Sequence, residues 1–311
     1  MGAGDGGYAA LPSVAGMAPP LASGAALSGA PAVAEMVAPG QAPPMSAAPS
    51  SADFLQNMDG LFVRQNLELA EALTGCEVKN RYTLTPIPLG HPDPTPPEWV
   101  QSFKQQAQLA PLLNAREDSE CCERICCPLF RGFTMPFLDA TGRNFITIER
   151  PFHCDPCYAP PCCTCATQAL VVRDASGAVL STAAEQSYTP CGAQCCSHPC
   201  ERRFDTMDAS GNKLYTLKVN ECGSSRGSNC LAPSCCNENY DVDVVDAAGH
   251  LVSTSTYVFP GCNCAGLTEM TNALVRFPPD ATTEQRAALL GGMYLVEFAH
   301  MELRKQQNNN N

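Results

Sequence analysis

Hydrophobic and polar residues alternate along the middle of the chain in short runs that come in pairs. FTMPFL and NFITIE flank DATG at 139–142; ALVVR and AVLSTA flank DASG at 174–177; RFDTM and KLYTLKV flank DASG at 208–211; YDVDVV and LVSTSTYV flank DAAG at 246–249. Alternation with a period of two, rich in β-branched and aromatic residues, marks strands. In each tetrapeptide the Asp carboxylate can accept from the backbone two residues on, and the Gly tolerates positive φ, which is the chemistry of a tight hairpin loop. The turns start 35, 34 and 38 residues apart. The pattern therefore predicts four β-hairpins and at least eight antiparallel strands, whose edges need closure into a barrel or a covering layer.

After Pro279 the period changes. TTEQRAALLGGMYLVEFAHMEL, 282–303, offers Thr282 or Thr283 as a cap and Glu284 in the first turn; from Ala287 to Ala299 only Glu297 interrupts an apolar surface. This predicts a helix whose Leu289, Leu290, Met293, Leu295, Val296 and Phe298 are buried. Its thirteen-residue apolar stretch falls short of the about 20 residues that span a bilayer, and Glu297 makes a span costlier. The helix is expected inside the sheet rather than in lipid.

The flanks read differently. Residues 1–52 are dominated by Ala, Pro, Gly, Ser and Met, without Lys, Arg or P-x-x-P spacing; such a segment cannot bury enough apolar surface to fold and is expected to be a disordered arm, open to protein partners. Residues 53–304 form the expected folded domain and 305–311 a disordered tail. PIPLGHPDPTPP, Pro86 to Pro97, is expected to be an exposed loop. The start, MGAGDGGYAA, has neither a basic region nor an apolar core, so no secretory signal is read and a reducing compartment is expected. Gly6 stands where a myristoylation site wants Ser or Thr, which weakens that reading of Gly2.

A net charge of -12, from 19 Lys+Arg against 31 Asp+Glu, repels phosphate. This argues against a nucleic-acid partner and requires that any membrane attachment rest on something other than net charge.

Twenty cysteines change the picture most. Nineteen fall in or beside the longer connections between hairpins. If the Asp-Gly turns share one end of the sheet, these connections share the other, and the fold acquires a cysteine-rich pole. The densest cluster is CDPCYAPPCCTC, Cys154 to Cys165. Disulfides fit poorly with a chain lacking a signal and rich in adjacent Cys pairs. Two C-x-x-C knuckles point to zinc, although three prolines limit how they can wrap one ion. Clustered exposed thiols also accept palmitoyl chains, which hold a protein to membrane whatever its charge. The five histidines form no nucleophile–base pair with a cysteine: His153 and Cys154 are sequence neighbours, which suits neither role. The chain is read as a non-enzyme.

FLQNMDGLFVRQNLELAEALTGCEVKNRYTL (Phe54 to Leu84), CCERICCPLFRGFTMPFLDATGRNFITIERPFHC (Cys121 to Cys154), CYAPPCCTC and NALVRFPPDATTEQRAALLGGMYLVEF closely resemble the phospholipid scramblase family. The resemblance implies a tubby-like closed antiparallel barrel of about twelve strands around the hydrophobic C-terminal helix. It implies calcium-stimulated, ATP-independent transbilayer movement of phospholipids by a lipid-anchored protein at the cytoplasmic face of the plasma membrane. The family's palmitoylated run falls on Cys162 and Cys163, with Cys157 and Cys165 adjacent. Its calcium segment falls on EMTNALVRFPPD, retaining Glu269, Asn272 and Asp280 but with Thr271 in place of a second Asp. One carboxylate fewer is expected to weaken calcium binding. The same residues, N-A-L-V-R-F, also read as a strand. Two alternatives stay open: a palmitoylated lipid-binding adaptor without transport activity, and a zinc-stabilised cysteine-rich binding protein.

Overall fold

The computed structural model describes residues 52–66, 79–127, 129–153, 167–186, 201–261 and 271–304. The expected arm before Ala52, the cluster Cys154–Cys165 and the tail 305–311 lie outside the described residues.

Twelve strands close into one antiparallel barrel: β1 (Met58–Asn66), β2 (Arg81–Pro88), β3 (Leu113–Arg116), β4 (Phe133–Leu138), β5 (Asn144–Arg150), β6 (Ala169–Asp174), β7 (Val179–Glu185), β8 (Glu201–Asp208), β9 (Lys213–Asn220), β10 (Asn239–Asp246), β11 (Leu251–Val258) and β12 (Asn272–Arg276). Every strand pairs with its sequence neighbours, and β1 closes the ring on β12. Closure leaves no unpaired edge.

The four predicted hairpins are β4–β5, β6–β7, β8–β9 and β10–β11. Their loops are built alike. In the second, the Asp174 carboxylate accepts from the backbone N–H of Ser176 at 2.8 Å and of Ala178 at 2.9 Å, while Gly177 takes φ +88°. Asp139, Asp208 and Asp246 accept the same pair of backbone bonds. Side-chain bonds from Thr141, Ser176 and Asn212 to Asp139, Asp174 and Asp208, and the backbone bond from His250 to Asp246, together with the other backbone bonds, favour the charged carboxylate and hold all four groups below their ordinary pKa.

The C-terminal helix α3 (Thr283–Val296) enters at the hairpin-loop pole, where Thr282 and Gln285 form a reciprocal capping box. It runs through the barrel as a buried rod: Leu289, Leu290, Met293, Leu295, Val296 and Phe298 are 0–3% exposed. A π-helical turn at Glu297–Met301 follows. Gly291 and Gly292 let the helix approach one side of the wall closely. A Cβ at Gly291 would lie 2.5 Å from Val172 Cγ2 of β6, and one at Gly292 would lie 2.7 Å from Thr206 Cγ2 of β8.

A second apolar cluster lies outside the barrel. Helix α1 (Pro97–Leu109) buries Val100, Phe103 and Ala107 with Phe62, Ile87, Val258 and Leu274 of β1, β2, β11 and β12. This corrects the reading of Pro86–Pro97 as an exposed loop at its two ends, β2 running to Pro88 and α1 starting at Pro97, while residues 89–96 between them form a largely exposed loop. Pro86, Ile87 and Pro88 extend β2, with Pro86 opposite Leu61, and Ile87 is fully buried. Proline's extended backbone suits a strand, and the α1 layer gives Ile87 an apolar partner that local sequence does not show.

Candidate functional site: the cysteine-bearing pole

Alternating strand directions place the four Asp-Gly loops at one end of the barrel and, at the other, the described residues of the β3–β4, β5–β6, β7–β8, β9–β10 and β11–β12 connections: 117–127, 129–132, 151–153, 167–168, 186, 221–238, 259–261 and 271. The eight described cysteines all fall on those connections. Helix α2 (Cys121–Cys126), packed into the β3–β4 connection, carries Cys121, Cys122 and Cys126, with Cys127 as its cap; the β9–β10 connection carries Cys222, Cys230, Cys235 and Cys236. Cys121 and Cys127 are half-buried and the other six are exposed. Cys122 Sγ lies 4.0 Å from Cys126 Sγ, and Cys235 Sγ lies 4.0 Å from Cys236 Sγ. A neighbouring thiol raises the pKa of Cys122 and of Cys236, so these groups stay protonated at neutral pH. Large apolar side chains share this pole: Ile125 is 55% exposed, Phe152 48% and Leu231 75%.

Beneath this surface the barrel mouth is closed by buried charge. Glu117, fully buried, accepts from Arg131 Nε at 2.7 Å, Ser119 Oγ at 2.6 Å and Asn80 Nδ2 at 2.7 Å. Burial alone would raise its pKa; the Arg131 bonds and charge outweigh that and hold it below the ordinary range. Arg131 also donates to both carboxylate oxygens of Glu302 beyond the π turn, at 3.0 and 3.1 Å. Arg202 pairs with Glu185 and donates to the Ala299 carbonyl at 2.7 Å. His300 Nε2 lies 2.9 Å from Glu221, which also pairs with Arg304 at 3.2 Å. Arg150 donates to Gln168 at 2.7 Å and stacks over Phe298; burial lowers its pKa to about 10. The C-terminal end of the helix is thus tied by ion pairs to the β3–β4 and β9–β10 connections that carry the described cysteines.

The match to known proteins follows the same residues. A Scramblase family model matches residues 103–303. The chain belongs to the phospholipid scramblase family. Phospholipid scramblase 1 from Homo sapiens is 26% identical over 265 residues, covering 85% of this chain and 69% of that protein. Phospholipid scramblase 2 from Bos taurus is 28% identical over 266 residues, covering 85% and 75%. Phospholipid scramblase family member 5 from Homo sapiens is 23% identical over 260 residues, covering 83% and 80%. No solved structure matches the chain significantly.

In this scramblase-family barrel the sites read from sequence separate. Cys157, Cys162, Cys163 and Cys165 lie outside the described residues, although β5 ends and β6 begins at the cysteine-bearing pole. Of the calcium segment, Glu269 lies outside the described residues; Thr271 and Asn272 are buried where β12 begins, with Thr271 Oγ1 donating to Glu297 at 2.7 Å. Asp280 follows β12 at the hairpin-loop pole. Five residues of the segment, Asn272–Arg276, form a buried barrel strand between these ends. Among the described residues no three His, Cys, Asp or Glu side chains cluster as metal ligands, and no helix is long and apolar enough to cross a membrane.

Sequence reading did not anticipate the buried ion pairs. The one local signal was Glu297 interrupting an apolar helix, and it points to Thr271 rather than to Arg131.

Proposed function

We propose that this scramblase-family protein docks its cysteine-bearing pole on the cytoplasmic face of the plasma membrane and promotes or regulates ATP-independent movement of phospholipids between leaflets. The observation that carries the reading is the pole itself: six thiols exposed among the described residues share it with the exposed side chains Ile125, Phe152 and Leu231. Thioester palmitoylation at Cys162 and Cys163, with Cys157 and Cys165 beside them, supplies the anchor, since several acyl chains hold a protein at net charge -12 to a membrane. Calcium stimulation belongs to the same reading, with weak binding expected because Thr271 and Asn272 are buried and Asp280 is at the opposite pole.

Reconstitution in liposomes tests the activity: the purified, acylated protein is expected to speed exchange of a labelled lipid, and exchange no faster than in empty vesicles, with or without calcium, removes the transport claim. A hydroxylamine-sensitive acyl label lost in Cys162→Ser/Cys163→Ser, together with membrane fractionation, tests the anchor.

A specific observation favours the second reading, a palmitoylated lipid-binding adaptor that does not itself carry lipid. The barrel lumen is filled by α3 and its apolar partners, so among the described residues no polar path for a headgroup runs through it. In that case the vesicles bind protein but do not exchange lipid.

A further inference from the structure

Helix α2 holds two exposed thiols at a set separation. Cys122 and Cys126 stand four residues apart, on one face of the helix, and their sulfurs are 4.0 Å from each other. The helix is short but pinned by the two residues that follow Cys122. The Glu123 carboxylate accepts from the Gly132 backbone N–H at 2.8 Å, and the buried Arg124 donates to the Ser119 carbonyl and, at 3.0 Å, to its hydroxyl. The thiol pair is therefore arranged before any ligand arrives, which lowers the ordering cost of binding. Cys235 and Cys236 show the same 4.0 Å, but they are sequence neighbours in a bend outside helix and strand, so regular backbone geometry does not fix their separation.

Three uses of a thiol pair differ in geometry. A disulfide needs sulfurs about 2.05 Å apart and Cβ atoms about 3.5–4.5 Å apart, whereas helix neighbours four residues apart hold their Cβ atoms at about 5–6 Å. Closing that bond would unwind α2. A single ion between the sulfurs asks for less. With metal–sulfur bonds of about 2.3 Å, two sulfurs on one ion lie about 3.8 Å apart at the tetrahedral angle and about 4.6 Å apart in line; 4.0 Å falls inside that range. Zinc wants four ligands, and among the described residues no third Cys, His, Asp or Glu joins this pair as a ligand. Hard cations such as calcium and magnesium want oxygen. A soft ion satisfied by two thiolates is left, and among biological metals Cu(I) has that chemistry.

We propose that Cys122 and Cys126 form a binding site for a soft two-coordinate ion, Cu(I), which bridges the two sulfurs on the outer face of α2. Binding forms two sulfur–copper bonds and releases the two thiol protons to solvent. No electron is transferred, because the copper arrives reduced. The site is separate from the acyl anchor at Cys162 and Cys163, and an ion held there occupies two thiols of the same pole.

The unacylated full chain is titrated anaerobically with Cu(I) buffered by bicinchoninate, then pulsed with iodoacetamide, and alkylation is read residue by residue by mass spectrometry. Cys122 and Cys126 are expected to become protected together, by about tenfold or more, while Cys230 is still alkylated. Cys126→Ser is expected to abolish protection of Cys122, and Cys122→Ser that of Cys126, at unchanged Tm. Zn(II) in place of Cu(I) is expected to leave both residues reactive. Alkylation that Cu(I) does not slow, protection only in step with Cys230, protection of Cys122 that survives Cys126→Ser, or equal protection by Zn(II) overturns the proposal. If one variant fails to fold, the reciprocal variant and the wild-type titration decide it.

Discussion

Arg131 and Glu302 meet through two parallel hydrogen bonds, Nη1 to Oε2 at 3.1 Å and Nη2 to Oε1 at 3.0 Å, across 171 residues of sequence. The same guanidinium donates to both oxygens of the fully buried Glu117. Removing the cation leaves two carboxylates facing each other with little water. Arg131→Met is expected to destabilise the fold by about 3–5 kcal/mol, the usual cost of orphaning one member of a buried pair. Urea unfolding checks this; adding Glu117→Gln is expected to recover part of the loss, and no recovery counts against an electrostatic origin.

The helix glycines give an opposite expectation from the usual helix rule. Alanine is ordinarily better than glycine in a helix by about 1 kcal/mol. At Gly291 the added methyl meets Val172 Cγ2, a stiff β-branched group on a wall strand, at 2.5 Å. Overpacking costs about 1–3 kcal/mol, so Gly291→Ala is expected to lose about 1 kcal/mol net. A raised Tm for this variant would show that the wall yields.

The hairpin loops carry a different constraint. Gly177 sits at φ +88° with open space where a Cβ would be. Gly177→Ala is expected to cost about 1 kcal/mol through backbone strain alone, while Gly177→Asn, which tolerates the left-handed region, costs less. Thermal unfolding of the two variants separates strain from packing.

His300 sets a pH dependence. Burial holds its pKa below the ordinary histidine value, reinforced by the Arg202 charge and opposed by Glu221. The folded state therefore binds this proton less readily than the unfolded chain does, so the contribution is fully present above about pH 6.5 and is lost as pH falls below it. Urea midpoints measured from pH 5 to pH 8 are expected to rise with pH, with a smaller slope in His300→Gln.

Membrane docking makes its own prediction. Ile125→Glu, Phe152→Glu and Leu231→Glu together remove the exposed apolar side chains of the cysteine-bearing pole. Co-sedimentation of the unacylated protein with phospholipid vesicles is expected to fall several-fold at unchanged Tm; unchanged co-sedimentation places the contact elsewhere.

Sequence alone determined what short-range chemistry encodes. The Asp–Gly tetrapeptides specify their hairpins because the Asp carboxylate and the positive-φ Gly act within five residues. Strands β4 to β9 announce themselves because one face meets the core and the other meets water, as in the in-out pattern of Phe133–Leu138. Apolar faces all round the C-terminal helix, with Thr282 before them, made its burial legible.

The tertiary structure decided the rest. Strand β1 is buried on both faces, by the barrel interior and by α1, so it lacks the alternation by which a half-buried strand is recognised; β12, buried in the same way, is legible only as the apolar run N-A-L-V-R-F, and Pro86–Pro88 at the end of β2 read as loop. Likewise Glu117, Arg131 and Glu302 are each unremarkable charges in sequence, since attraction between them depends on distance in space. Only closure of the barrel around its helix brings them within 3.1 Å of one another's hydrogen-bonding atoms and makes their pairing a condition of burial.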